Sequence, residues 1–190
     1  MTHPSPVTSI IRTIWAILIL YWTVSAFGNK KPKIRQDRGS RVAYVLVLLV
    51  ASFFISSQKG LRHPLFHASG LSQATGVLVC AAGAAVAIRA RRILGRNWSG
   101  LVTIKQDHEL IQSGPYRYVR HPIYTGLILA ITGTMFALNP TVEGLLIALL
   151  WTVAFYVKSR HEEHVLTREF GDQYATYKSR VKAALIPRLF

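Results

Sequence analysis

The sequence predicts an all-α, polytopic integral membrane protein with about five transmembrane helices. Three observations carry this. The 190 residues are 51% hydrophobic and only 16% charged, with a mean hydropathy of +0.28. Five apolar segments recur along the chain, separated by polar or basic connections. And 20 of the 23 Lys and Arg residues fall in three regions that five spans would place on one side of a membrane. A nucleic-acid binder would spread its basic residues along one polar face. Here they are fenced between apolar runs, so the net charge of +15 reads as a membrane pattern, with no nucleic-acid partner. Nothing alternates with period two over many segments, which argues against a β-barrel.

The first segment, Ser9–Phe27, has the length of a span. Val24-Ser25-Ala26 resembles a signal cleavage site, but the residues before the apolar core are nearly uncharged. An uncleaved anchor is expected. The second, Val42–Ser56, is short by itself; Arg41 can snorkel to the interface and extend it. The third, Leu71–Ile88, contains Ala81, Ala82, Gly83, Ala84 and Ala85, a small surface suited to close helix packing in lipid. It also holds Cys80, the chain's single cysteine, so no internal disulfide forms. Pro122–Leu138 and Val142–Val157, the latter extended by Lys158, complete the set. Asn139-Pro140-Thr141 joins these two as a tight helical hairpin.

The loops set the orientation. Asn29–Arg41 carries six basic residues, Arg89–Arg120 seven, and the tail from Lys158 seven. The opposite side has Lys59 and Arg62, with Arg12 near the first span. The positive-inside rule then puts the N-terminus outside and the C-terminus in the cytoplasm. One domain, 1–190, is expected: three spans in 1–88, then two spans and a tail in 89–190.

Chemistry-bearing residues collect at two places. The first is Gly114–Gly126, GPYRYVRHPIYTG, at the mouth of the fourth span. Pro122 suits a first helical turn, where its missing N–H has no intrahelical partner. The N–H groups of that turn could receive a carboxylate. Tyr116 and Tyr118 add flat faces, and Arg117 and Arg120 add charge. Tyr and Arg also serve as headgroup anchors, but an anchor does not need the His121-Pro122-x-Tyr124 order. The second place is Lys158-Ser159-Arg160-His161-Glu162-Glu163-His164. On a continuing helix Lys158 shares a face with Glu162, and Arg160 with Glu163. Two adjacent carboxylates at a membrane exit stand out in a chain with eight acids. Gly171 can stop or bend the helix, and the Tyr-, Lys- and Arg-rich stretch after it suits an interfacial helix. No metal site is expected.

GPYRYVRHPIYTG followed by RHEEHVLTREFGDQYATYKSRV resembles the isoprenylcysteine carboxyl methyltransferase family, and more distantly the membrane phospholipid methyltransferases. Leu94-Gly95-Arg96-Asn97-Trp98-Ser99 and Asp107-His108-Glu109-Leu110-Ile111 are similar to bacterial members, which implies a bacterial inner membrane. The resemblance covers roughly Arg92–Pro187. It implies methyl transfer from S-adenosylmethionine, with 89–190 as the cofactor-binding half and the C-terminal helical segment enclosing a cytoplasmic cofactor pocket. By position, the donor contacts would be His108, Glu109, Leu110, Ile111, Tyr116, His121, Pro122, Ile123, Tyr124 and Glu162. The family commonly has Arg four residues before the first glutamate of its acidic pair; this chain has Lys158 there, with Arg160 two residues on. Either could hold the acceptor as the catalytic cation, and Lys and Arg hold a carboxylate differently.

The implied acceptor is a lipophilic small molecule or lipidated substrate entering from the bilayer, most simply a carboxylate of isoprenylcysteine type. A carboxylate is already ionised and needs no general base, whereas an amine must shed a proton, to His161 or Glu163. A phospholipid amine and a small thiol stay open as acceptors. A nicotinamide-dependent membrane reductase and a non-catalytic protein binding membrane lipids are the readings in other classes; no dinucleotide glycine fingerprint is present.

Overall fold

The computed structural model describes residues 4–27, 38–95, 109–138 and 140–186, with the backbone alone over 38–42. His108 and the motif residues Arg96–Ser99 and Asp107 lie outside the described residues, as does Asn139 in the expected hairpin turn.

Among the described residues five α-helices follow one another: α1 Pro6–Ala26, α2 Arg38–Ser57, α3 Gly70–Leu94, α4 Pro122–Leu138 and α5 Val142–Arg180. Each of the five apolar runs is a helix, and α4 has the expected bounds. Local chemistry fixes the starts. Ser5 caps α1, with Pro6 in its first turn. Ser69 and Ser72 form a reciprocal capping box at α3. Thr141 caps α5 by accepting from Gly144 N at 3.2 Å. Among the described residues, α1, α3 and α5 are long and apolar enough to cross a membrane; the apolar stretches Ala43–Ser57 and Pro122–Leu138 are shorter.

α3 and α4 form an antiparallel pair with touching backbones. A methyl group on Gly83 would sit 2.5 Å from both Ala130 N and Gly126 O; one on Gly133 would sit 2.3 Å from Cys80 N. Gly76 and Gly126 are closed in the same way. Glycine repeats at seven-residue spacing on both helices, so the seam runs most of their length. The small residues of α3 therefore pack as expected, and their partners are the small residues of α4. α1 lies across this pair, burying Ile11 and Leu18 against Cys80, Ala84, Ala87, Ala130 and Ala137. Trp15 Nε1 donates to Thr134 Oγ1 at 3.0 Å. Buried Arg91 ties the helix ends together, donating to Ser25 O at 2.6 Å and Gly95 O at 2.7 Å. α2 joins α5 through Tyr44, whose hydroxyl donates to Ala154 O at 2.8 Å, and through Trp151 Nε1 to Ser52 Oγ at 3.3 Å.

Two helices outrun their apolar segments. α3 continues past Ile88 to Leu94 because its last turn is stabilised by Arg91 and Arg92 at the negative end of the helix dipole. α5 continues past Val157 through the charged stretch to Arg180, interrupted only at Gly171, whose φ of 50° bends it. The part before that bend, 142–170, is roughly 43 Å long, longer than a hydrocarbon core. Glu163 thus lies roughly 30 Å from the Thr141 end. The stretch after Gly171 does not turn its aromatic face to lipid. Tyr174 and Tyr177 are 1% and 3% exposed and pack with Val181 against Leu110, Leu166 and Phe170. At the other end, Leu65 N donates to Pro140 O at 2.7 Å and Val142 N to His63 O at 3.1 Å.

The seam makes a direct prediction. Gly83→Ala puts its methyl into backbone atoms that have no room to move, at an overpacking cost of about 1–3 kcal/mol. Gly60, with nothing within 4 Å of its missing Cβ, is the control. Thermal unfolding in detergent is expected to show a lower melting temperature for Gly83→Ala and no change for Gly60→Ala.

Candidate functional site

The site forms where α4 begins and α5 leaves its apolar stretch. The chain reaches α4 through a short 3₁₀ turn, Gly114–Arg117. Gly114 has φ 60°, a left-handed conformation that calls for glycine. The turn buries Tyr116 beneath α3, its hydroxyl donating to Ala90 O at 3.4 Å. Tyr177 donates to Tyr116 O at 2.8 Å and so fastens the end of α5 to this turn.

Arg120 and His121 follow just before α4. The C-terminal tail runs beside them. Arg120 N donates to Ala183 O at 3.0 Å and His121 N to Ala184 O at 2.9 Å. Thr125 Oγ1 donates to Leu185 O at 2.5 Å. These tail carbonyls, then, take up part of the helix entrance that could receive a ligand carboxylate.

Glu162 and Glu163 enter this junction from α5 and meet different partners. Glu163 is 3% exposed. Its Oε1 accepts from Arg120 Nε at 2.7 Å and forms an ion contact with Nη2, also at 2.7 Å. Its Oε2 faces Lys178 Nζ at 3.1 Å and Arg160 Nη1 at 3.3 Å. Glu162 accepts from the Tyr124 hydroxyl at 2.5 Å and lies 3.4 Å from His121 Nδ1. His121 Nε2 lies 3.4 Å from Glu163 Oε1, an ion contact without a directional hydrogen bond. The rings of His121, Tyr124 and Phe155 stack in sequence, at 5.8 and 5.1 Å. Lys158 Nζ sits 5.5 Å from the centre of the Tyr124 ring.

Burial opposes charge on all three ionisable groups, and the cluster reverses it. Burial pulls the His121 pKa down, but Glu162 and Glu163 outweigh this and leave it raised. Burial pushes Glu163 up, but His121, Arg120 and Lys178 together hold it well below the ordinary carboxylate range. Glu162 is likewise lowered by His121, Lys158 and Tyr124 against its burial.

The residues singled out in the sequence fall into three places. His121, Tyr124, Glu162 and Lys158 come together in one cluster. Tyr116, Ile123 and Ile111 form its apolar wall with Ala90 and Leu127, and Pro122 is buried at the start of α4. Leu110 and Ile111 line an open groove of about 700 Å³ with Gln112, Ser113, Arg117 and Arg180, and Arg180 donates to Gln112 Oε1 across it. Glu109 is exposed. Arg160 is half exposed and pairs with Glu163, its expected helical neighbour, not with Glu162. Sequence reasoning missed the Arg120–Glu163 pair and the docked tail. A signal was available: a second acid beside Glu162 at a membrane exit requires a cation, and Ala183-Ala184-Leu185-Ile186 is an apolar run after a charged helix.

A family model described as the isoprenylcysteine carboxyl methyltransferase (ICMT) family matches residues 75–168. Over this stretch the chain resembles the isoprenylcysteine carboxyl methyltransferase family. The matched stretch carries Arg120, His121, Tyr124 and the glutamate pair. Relatives include the protein-S-isoprenylcysteine O-methyltransferase of Schizosaccharomyces pombe, 36% identical over 93 residues, 48% of this chain and 39% of that one. The enzyme of the same name from Saccharomyces cerevisiae is 32% identical over 140 residues, 72% and 57% of the two chains. The chain thus spans about half the length of the curated relatives it matches. A solved structure of the eukaryotic intramembrane Ras methyltransferase ICMT shares the fold, with a TM-score of 0.50 and 23% identity over 82% of this chain and 55% of that one. Family and apolar helices together make this an integral membrane protein of all-helical fold.

The charge arrangement gives a pH dependence. A histidine whose folded pKa is raised stabilises the fold fully below its unfolded value, about 6.5, and that contribution is lost as pH rises through the folded pKa. The lowered glutamates act oppositely: their contribution is present above about 4.3 and is lost as pH falls through their folded pKa. Melting temperature should therefore decline above about pH 6.5 in the wild type. His121→Gln is expected to start lower and to show a flatter alkaline limb, measured by thermal unfolding between pH 6 and pH 9.

Proposed function

We propose that this chain is a membrane methyltransferase that moves a methyl group from S-adenosylmethionine to a lipophilic acceptor, a carboxylate of isoprenylcysteine type. The observation that supports this most is the convergence of His121 and Tyr124 on Glu162, with Lys158 beside them, in a family whose relatives are named protein-S-isoprenylcysteine O-methyltransferases. The residues present suit this donor. Glu162 keeps 20% side-chain exposure and can accept from an ammonium or a ribose hydroxyl. Tyr116, Ile123 and Tyr124 offer flat and apolar surface for a base, continued by Ile111 and Leu110. His108 and Glu109 are assigned to the same contact set. When bound, the donor supplies an electrophilic methyl group on a sulfonium. The protein's own part is chiefly positioning.

Glu163 favours a carboxylate acceptor over an amine. An amine must lose a proton, and Glu163, neutralised by Arg120, Lys178 and Arg160, is a poor base. A carboxylate needs only a cation to orient it. Lys158 and Arg160 are the catalytic candidates, and Lys158 stands closer to the donor side through Tyr124.

Five spans in one domain, with the site on the cytoplasmic face of a bacterial inner membrane, complete the reading. Its support is the 20 of 23 basic residues on one side. α2 and α4 would reach across with their flanking polar residues. The C-terminal segment would then enclose the donor from the cytoplasm, and substrate would enter from the bilayer. A cysteine introduced at Ser113 should label only from the cytoplasmic side; labelling from the opposite side alone would contradict this orientation.

Glu162→Gln keeps the shape and removes the charge. A hydrogen bond between charged groups is worth about 1.5–3 kcal/mol, so calorimetry should show S-adenosylmethionine bound roughly tenfold or more weakly. Lys158→Ala should leave donor affinity nearly intact and lower turnover more than Arg160→Ala does. Unchanged donor binding in Glu162→Gln would remove the donor assignment. Full turnover in both basic variants would remove the acceptor clamp.

A further inference from the structure

Two neighbouring carboxylates occupy this site, and the geometry gives them separate tasks. A carboxylate offers about four acceptor positions. Those of Glu163 are crowded: Arg120 Nε and Arg160 Nη1 donate hydrogen bonds to it, and Arg120 Nη2 and the Lys178 ammonium stand against it as ion contacts at 2.7 and 3.1 Å. The 3.4 Å ion contact from His121 Nε2, without a directional hydrogen bond, is what a filled carboxylate would leave. Glu162, one residue away, retains the exposure that Glu163 lacks, 20% against 3%.

The other edge of the Arg120 guanidinium faces the tail. Nη1 donates to Val181 O and to Lys182 O, each at 2.6 Å. Two parallel backbone contacts continue the attachment, from Arg120 N and His121 N to Ala183 O and Ala184 O. A single side chain, 7% exposed, thus joins α5, the entrance of α4 and the tail. The residue that follows it in the chain is His121, the partner of Glu162.

We propose that Arg120 is a positioning residue for the donor site. By saturating Glu163 and pinning the tail with one planar fork, it fixes the register of His121 and Tyr124 against Glu162. Arginine is required because its donors diverge in one plane toward a carboxylate and two carbonyls. The single ammonium of lysine keeps the charge and cannot reach all three. The proposal rests on the donor reading for its functional half and on tail geometry for the rest.

The test compares wild type, Arg120→Lys and Glu163→Gln as full-length protein in detergent micelles. Amide hydrogen exchange is read over 177–186, S-adenosylmethionine affinity by calorimetry, and helix content by circular dichroism. Arg120→Lys should retain its helices, exchange at least about tenfold faster over 177–186, and bind the donor at least about tenfold more weakly, the scale of one charge-assisted hydrogen bond. The loss should fall on the donor KM, with kcat recovering at saturating donor, a split that general destabilisation would not give. Glu163→Gln should give the same pair of effects although Glu163 touches no ligand, and it carries the test if Arg120→Lys does not fold. Wild-type exchange in the tail overturns the latch. A loosened tail with unchanged donor affinity in both variants overturns the positioning role. A wild type that binds no donor would overturn the proposed function and the donor half with it, while the exchange measurement still decides the latch.

Discussion

A buried carboxylate pair at the end of a membrane helix is the constraint from which the rest of this site follows. Removing an ion from water costs several kcal/mol even after relaxation, unless partners and hydrogen bonds offset it. Glu162 and Glu163 are adjacent on α5, and both turn toward the entrance of α4. Cations must come to them. Arg120 and His121 arrive from the entrance of α4, Lys178 from the far side of the bend at Gly171, and Lys158 and Arg160 from α5 itself. The return of the helix toward its own acids, and the docking of the tail on Arg120, are how the chain brings enough positive charge to one place.

The scaffold makes that meeting possible. Backbone contact along the Gly76–Gly133 and Gly83–Gly126 seam fixes α4 against α3, and therefore fixes where His121 and Tyr124 begin. α5 is joined to α4 by a short hairpin at one end and crosses roughly 30 Å before presenting its acids at the other. The pairing of residues 63–65 with 140–142 steadies the hairpin end. Tyr116, buried under α3 and held by Tyr177, couples the loop before α4 to the last turns of α5. Scaffold and charge cluster thus constrain the same junction from opposite sides. One face of it carries Glu162, with Tyr124 and Lys158 beside it and 20% of the Glu162 side chain exposed.

Much of this was legible in the sequence because lipid permits few solutions. Hydrocarbon demands continuous helices, so the five apolar runs became five helices, with Pro122 marking the start of the fourth. Glycine and alanine in α3 announced a close neighbour, though not that α4 supplies matching glycines. The local ion pairs on α5 followed from helical spacing, and Arg160–Glu163 is such a pair. What spacing cannot reveal is contact across long separations. Arg120 meets Glu163 across 43 residues and Val181 across 61. Gly171 was read as a bend, but the direction of the bend decides whether Tyr174 and Tyr177 face lipid or protein, and no local pattern encodes direction. The charged stretch after Val157 was singled out for its adjacent acids, but not for the partners that Glu163 finds in Arg120 and Lys178.

The central claim is that the two glutamates divide the work, Glu163 holding the architecture and Glu162 facing the donor. A crystal structure of the protein with S-adenosylmethionine bound tests it most directly. The account predicts donor atoms within hydrogen-bond distance of the Glu162 carboxylate, with Tyr124 beside it, while Glu163 stays on Arg120 and the tail stays docked at Val181–Leu185. A donor held by Glu163, with the Arg120 pair broken, or a donor bound away from both carboxylates, would contradict it.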